Sequence, residues 1–259
     1  MQHLHKKSQV KATRRRKLEM QRLESREVFA ALSFSAGTLH LNMSEMPVQG
    51  TSVFAEVGAN NGLVVFNGRL AQNIAGAPGG RLNTAAVRSI VVNGSAFSDV
   101  VGLGAVSPST FPYVVSVTVN GNGGNDTIRG SDTADVIFGG DGDDRIFGYG
   151  GGDRIYGNNG NDTIWGDFSS GVAERNGSAD WIEGGSGNDT VYGGWGNDWI
   201  FGQQGDDSLF GDSGDDTLDG GQGADYMQGD AGFDTAWHDS ADVARNRNNF
   251  RGIENLRRR

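Results

Sequence analysis

From Gly121 onward the chain repeats every nine residues, in thirteen consecutive registers ending at Trp237. Position one is Gly in twelve registers (Arg175 is the exception), and position six is Asp in twelve (Gly171 is the exception). Position eight is apolar in all thirteen, for example Ile128, Val191, Ile200 and Ala236. A fixed short period of this kind is the mark of a stacked repeat architecture. In a strand, side chains alternate between faces, so position eight points one way and its neighbours the other. One apolar residue per repeat cannot bury a core alone. Two short strands facing each other, stacked in many layers, can. Two nonapeptides then make one coil, and successive coils pair as parallel strands. Thirteen registers give about six coils, a rod of roughly 30 Å at ~4.8 Å per strand. The composition also permits a disordered Gly/Asp linker, but a linker has no reason to keep an apolar residue in phase.

Charge is strongly segregated. Residues 1–30 carry nine Lys/Arg and three Glu, residues 121–240 carry 24 Asp/Glu against four Arg, and residues 241–259 carry six Arg against Asp242 and Glu254. The middle is a polyanion that repels nucleic acid, and itself, unless cations intervene. There is no cysteine, which rules out disulfides and thiolate metal sites. No apolar run is long enough to span a membrane.

Each turn offers one fixed carboxylate, at position six, and glycine carbonyls with no side chain in the way. Calcium is a hard cation that takes six to eight oxygen ligands of these two kinds. One turn cannot encircle the ion, whereas two turns stacked on the same edge can. The motif Gly-Gly-x-Gly-x-Asp-x-U-x, seen as "GGSGNDTVY" and "GGWGNDWIF" from Gly184 to Phe201, resembles the nonapeptide of the RTX, or haemolysin-type, calcium-binding repeats. The resemblance covers residues 121–237. It implies an all-β fold, a parallel β-roll, with a six-residue turn and a three-residue strand in each repeat. It also implies several calcium ions held between registers n and n+2, by position-six carboxylates and by carbonyls of the early glycines. Carried over, the candidate ligands are Asp126, Asp135, Asp144, Asp153, Asp162, Asp180, Asp189, Asp198, Asp207, Asp216, Asp225 and Asp234. Asp189 should stack with Asp207, and Asp198 with Asp216.

Beyond Ser169 two parities are open. Either Gly171 occupies a true register, or "FSSGVAERN" loops out and Asp180 stacks above Asp153. Thr133, Ser169 and Ser178 replace the position-four Gly, so their turns are the weakest candidates. Asp141, Asp143, Asp206 and Asp215, at positions three and five, add charge and are expected to lie outside the ion's direct ligands or to face solvent. Position nine is often aromatic (Phe138, Phe147, Tyr156, Trp165, Tyr192, Phe201, Phe210 and Trp237) and is expected to stack between coils, as cross-strand pairs do. An exposed aromatic ladder binding sugars or a partner is the alternative.

Residues 37–120 contain strand-like runs such as "TLHLNM", "SIVV" and "VVSVTV". "SIVVNGSAFSDVV" and "SVTVNGNGGNDTI" are offset by three nonapeptide lengths, which places Asp99 in phase with Asp126. A wider-coiled, solenoid-like extension is expected; a separate small β-domain is the alternative. Residues 1–36 read as a basic leader or tail, and "RRRKLEMQRLESREVFAA" resembles the leaders of some large secreted bacterial surface proteins. Residues 238–259 are expected to cap the array; "IENL" resembles the segment that often closes RTX arrays.

Enzyme readings find little support. Ser213 of "GDSGD" is position three of a repeat, the four histidines form no recognisable constellation, and there is no His-Glu-x-x-His. The expected function is calcium binding coupled to folding in a secreted or surface structural or adhesive protein. The alternative is a calcium-stabilised module that binds cell-surface polysaccharide or matrix, or an accessory region of a secreted enzyme.

Overall fold

The computed structural model describes residues 32–43, 53–60, 63–66, 69–70, 82–167, 177–245 and 250–258. Among them the chain winds as a two-sided coil, laying alternate strands into two parallel-stranded sheets. The first sheet runs β1 (Leu32–Ser35), β2 (Thr38–Asn42), β6 (Ser89–Asn93), β8 (Ser116–Gly123), β10 (Asp135–Asp141), β12 (Arg154–Asn159), β14 (Trp181–Ser186), β16 (Trp199–Gln204), β18 (Thr217–Gln222), β20 (Asp234–His238) and β22 (Ile253–Arg258). The second holds β3 (Val53–Asn60), β7 (Asp99–Gly102), β9 (Thr127–Arg129), β11 (Arg145–Phe147), β13 (Thr163–Trp165), β15 (Thr190–Trp195), β17 (Ser208–Ser213), β19 (Tyr226–Gln228) and β21 (Phe250–Arg251), with β4 (Leu63–Phe66) and β5 (Arg69–Leu70) beyond β3. This is a parallel β-roll, as the periodicity predicts.

The register follows the apolar residue. Ile137 lies beside Ile155, Ile182 beside Ile200, and Val191 beside Leu209. All these side chains are fully buried between the sheets, as are Ile128, Ile146, Ile164, Leu218, Met227 and Ala236. A one-residue slip would turn every one of them to solvent, so burial fixes the register. The three-residue strand expected per repeat holds at β9, β11, β13 and β19, but β14 to β18 each run six residues. Backbone pairing continues into the turn, where Gly185 and Ser186 pair with Gln203 and Gln204.

The segment 37–120 belongs to the same solenoid. Leu39 pairs with Ile90, and Ile90 with Val117, in parallel; β3 pairs with β7, and β7 with β9. The coils are wider here, with a step of 51 residues from Thr38 to Ser89 and 27 from Asn93 to Asn120. The core is also thicker. Strands β2, β6 and β8 each bury two apolar side chains, and Leu103, Val106 and Phe111 fill the coil that joins them. Of the expected basic leader, residues 1–31 lie outside the described residues. Its last residues, Leu32–Ser35, instead form β1, antiparallel to β2, so the fold begins before position 36. The C-terminal end is a short helix, α1 (Ser240–Arg245), followed by β21 and β22.

The outer faces of the two sheets differ. On the second, Phe147, Trp165, Tyr192 and Phe210 stack with centroids 4.6, 5.6 and 4.8 Å apart and planes within 10°. Their faces are spent on one another, the stacking expected for position nine. On the first sheet the same row is interrupted by Glu183 and Asp219.

Candidate metal centres in the turns

The position-six aspartates form two ladders, one on each edge of the roll. On the first edge the backbone N–H of Asp99 donates to Oδ1 of Asp126, and the same bond links Asp126 to Asp144, Asp144 to Asp162, Asp162 to Asp189, Asp189 to Asp207 and Asp207 to Asp225. On the second edge it links Asp135 to Asp153, Asp153 to Asp180, Asp180 to Asp198, Asp198 to Asp216 and Asp216 to Asp234. These bonds measure 2.7–2.9 Å. The pairs expected for Asp189 and Asp198 are therefore present. The open parity is resolved as well: Asp180 stacks above Asp153, with the nine residues 168–176 left out of the ladder. Those nine, with Ser169 and Gly171 among them, lie outside the described residues.

The ladders run on into residues outside the thirteen registers. Asp99 begins one of them. Asp242 of α1 accepts the N–H of Asp225 at 2.9 Å, and Glu254 of β22 accepts that of Asp234 at 2.6 Å. Asp242 lies 17 residues beyond Asp225 and Glu254 lies 20 beyond Asp234, so neither falls on the nine-residue grid.

A second, exposed ladder runs at position five. Oδ1 of Asn125 accepts from the N–H of Asp143, Asp143 from Asn161, Asn161 from Asn188, Asn188 from Asp206, and Asp206 from Ala224. Here the later turn donates to the earlier side chain, the reverse of position six. Asp143, Asp206 and Asp215 do face solvent as expected, but each side chain also bonds the next turn on its edge.

While Oδ1 of each position-six Asp is bonded, Oδ2 is buried without a hydrogen-bond partner in Asp126, Asp144, Asp153, Asp162, Asp180, Asp189, Asp198, Asp207, Asp216, Asp225 and Asp234. A buried polar atom left unpaired is costly, so a row of eleven needs an explanation. Each of these oxygens lies against the position-one glycine of its own turn. In most turns the carbonyl oxygen of the glycine one coil on lies there too. A Cβ on Gly202 would overlap both Asp207 Oδ2 and the carbonyl oxygen of Gly220, and one on Gly193 would meet Asp198 Oδ2 and the Gly211 carbonyl. Position one is glycine because that space is shared by oxygens. The turn of Asp180 uses Gly166 in this role. Among the described residues no three His, Cys, Asp or Glu side chains converge, so a cation here must draw on main-chain oxygens. Carboxylate plus carbonyl is the donor set calcium prefers, and the turns fit it.

The carboxylates are held far from their ordinary acidity. Burial pushes Asp126, Asp189 and Asp198 up to about 8 and Asp144 and Asp216 to about 7, despite the N–H bond each accepts, with neighbouring carboxylates adding to the rise. Asp153 rises to about 10, through burial first and then the charges of Asp135 and Asp180.

Asp135 is the exception among the predicted ligands. Ser131, at position two of its turn, gives its N–H to Oδ2 at 2.6 Å and its hydroxyl to Oδ1 at 2.7 Å. Asp99 has a related arrangement with Ser95, whose N–H and hydroxyl both reach Oδ2, at 2.6 and 2.9 Å, while its Oδ1 stays buried without a hydrogen-bond partner. Sequence reading flagged the Asp135 turn only through Thr133; the serine at position two carried the clearer signal.

Residues 120–154, 147–170, 176–209 and 201–236 match the family model for the RTX calcium-binding nonapeptide repeat, in four copies. No curated protein matches the chain.

Proposed function

Because the stretch from 120 to 236 belongs to the RTX calcium-binding nonapeptide-repeat family, we propose that this chain binds several calcium ions along the two edges of the roll and folds its array as it does so, as a structural or adhesive protein working outside the cell. The observation that carries the reading is the row of eleven buried, unpaired Oδ2 atoms against carbonyl oxygens. Asp126, Asp144, Asp162, Asp189, Asp207 and Asp225 hold ions on one edge, and Asp153, Asp180, Asp198, Asp216 and Asp234 on the other. When bound, calcium supplies the positive charge that these stacked carboxylates lack. The side chains orient Oδ1 toward the backbone and leave Oδ2 for the ion. Since a preformed site does not exist in the unfolded chain, binding free energy becomes folding free energy. A weak affinity, on the order of 10⁻⁴–10⁻³ M as in extracellular modules, would keep the array open inside the cell and close it outside. Nothing in this role calls for catalysis. Equilibrium dialysis with radioactive calcium should find several ions per chain, and Asp198→Ala and Asp207→Ala should each remove at least one. A chain that binds no calcium at millimolar concentration overturns the proposal.

A second reading, glycan binding, is favoured by the outer face of the first sheet. Two adjoining shallow cavities of about 240 and 250 Å³ meet at Glu183 and Gln203. Trp181 and Phe201 form an aromatic corner there, 4.7 Å apart at 37°, and Trp199 beside them is 50% exposed. Glu183 accepts from Trp181 Nε1 at 2.8 Å and from Gln203. Aromatic surface beside fixed carboxylates and amides suits a neutral, hydroxyl-rich sugar. Affinity electrophoresis in neutral polysaccharides with calcium should show retardation that Trp181→Ala abolishes. Absence of retardation in every such gel removes this reading alone.

A further inference from the structure

We propose that Ser95 and Ser131 stand in for a cation at the first turn of each edge, so that the amino-terminal coils fold without calcium and the array closes onto them from that end. The inference rests on the calcium reading above and adds to it which turns need no ion and where closure begins.

The first support is local. Ser131 is the only position-two side chain among the predicted ligand turns that donates to its own position-six carboxylate, and Asp135 is the only one of the twelve without an unpaired buried oxygen. The backbone is rebuilt to match. Position two is left-handed at Asn122, Tyr149, Asn158, Gln203, Asp212 and Asp230, with φ between 68° and 76°; Ser95 and Ser131 are not, and neither is Asp167 in the turn of Asp180. Outside that region the serine N–H turns inward onto the carboxylate. Position four changes too, since Phe97 and Thr133 stand where all the other turns but that of Asp180, which has Ser178, place a glycine of positive φ such as Gly205 or Gly214. In both turns the serine hydroxyl also accepts the N–H of that residue, at 3.1 and 3.2 Å. Two turns on opposite edges have thus gained a serine whose N–H and hydroxyl both donate to the carboxylate; at Asp135 they satisfy both oxygens, and at Asp99 they satisfy Oδ2, the oxygen that elsewhere faces the shared space, while Oδ1 stays buried without a partner.

The second support is the core. Coils of the array bury one apolar side chain per strand, whereas β2, β6 and β8 bury two each and add Leu103, Val106 and Phe111. Buried apolar area stabilises at roughly 25 cal/mol per Å² and needs no ion. The end of the roll with serine-closed turns is the end with the thick core.

Hydrogen exchange on the whole chain, read by mass spectrometry with calcium and after its removal, tests this. Without calcium, peptides from 89–102 and 116–138 should stay protected while those from 181–237 exchange freely; with calcium, both should be protected. Ser131→Ala should speed calcium-free exchange of the 130–138 peptides roughly tenfold or more, the scale of a lost bond to a charged group, with little change when calcium is present. The double substitution Ser131→Gly/Thr133→Gly, which restores the ordinary turn pattern, should raise calcium bound in dialysis by about one ion per chain. Calcium-free exchange that is equally fast everywhere, or unaltered by Ser131→Ala, overturns the serine proposal while leaving calcium binding intact. Exchange that calcium does not alter anywhere overturns the calcium reading instead.

Discussion

Removing calcium at pH 8.5 should abolish most of the far-ultraviolet β signal of residues 121–237, and restoring it should bring the signal back. The reason is the balance of charges on the two edges. Two ionised carboxylates one strand spacing apart repel by roughly 3 kcal/mol at an effective dielectric near 20. A domain has only about 5–15 kcal/mol of stability in all, and eleven such groups with an unpaired Oδ2 are stacked along the two ladders. A few ionised neighbours are enough to open the array. Protons substitute in part for calcium. Burial holds Asp189 and Asp198 at about 8 and Asp216 at about 7, all well above the ordinary value of 3.8. A carboxylate whose pKa is raised by folding binds more protons in the folded state. Its contribution is then fully present below the unfolded value near 3.8 and is lost as pH rises through the folded one. The calcium-free chain should therefore hold more β signal at pH 5.5 than at pH 8.5. Circular dichroism of protein freed of calcium by dialysis, at the two pH values, checks both parts. A calcium-free β signal undiminished at pH 8.5 would sink the coupling of folding to calcium.

The second large effect is expected from one methyl group. Gly202→Ala should destabilise the calcium-loaded roll by about 3 kcal/mol, the upper range for forcing extra volume into a packed site, and should remove at least one ion. The backbone of Gly202 lies outside the left-handed region, so strain is not the cause. The added Cβ would overlap Asp207 Oδ2 and the Gly220 carbonyl, neither of which can swing away. Gly104→Ala is the control, because a Cβ there meets nothing within 4 Å; it should be nearly neutral. Urea midpoints in saturating calcium, with dialysis for stoichiometry, decide the matter. Equal midpoints for the two variants would refute the assignment of position one as part of the ion's cradle.

The fold of the array was legible because its two constraints sit at fixed sequence positions. Ile155 and Ile182 had to face inward, and Asp153 and Asp180 each had to sit in a turn at an edge of the roll. Whether those two share an edge was open only because the nine residues 168–176 add no rung to either ladder, and an extra segment of one repeat length leaves the phase unchanged. The ends were less legible. Asp242 and Glu254 reach the ladders from a helix and from an irregular strand pairing, at 17 and 20 residues from their partners, so no nine-residue pattern marks them. Position five went unread because Asn and Asp serve equally there. Only the Oδ1 acceptor matters, and the mixture of Asn161, Asn188 and Asp206 resembles ordinary surface variation. The serine-closed turns were hidden for a different reason: a hydroxyl at position two is unremarkable until the carboxylate it faces is seen to hold its Oδ2 already bonded, as at Asp99 and Asp135.

The two closing acids impose a counting rule on the array. Asp242 completes one edge and Glu254 the other, from segments of different shape that cannot trade places. A roll of this kind can therefore lengthen or shorten only by whole coils, eighteen residues at a time. Gain or loss of a single nonapeptide exchanges the edges and brings each closing acid to the wrong side, unless the odd repeat is excluded from the stack. The nine residues between Asp167 and Gly177, a repeat's length of chain that adds no rung to either ladder, agree with such an exclusion.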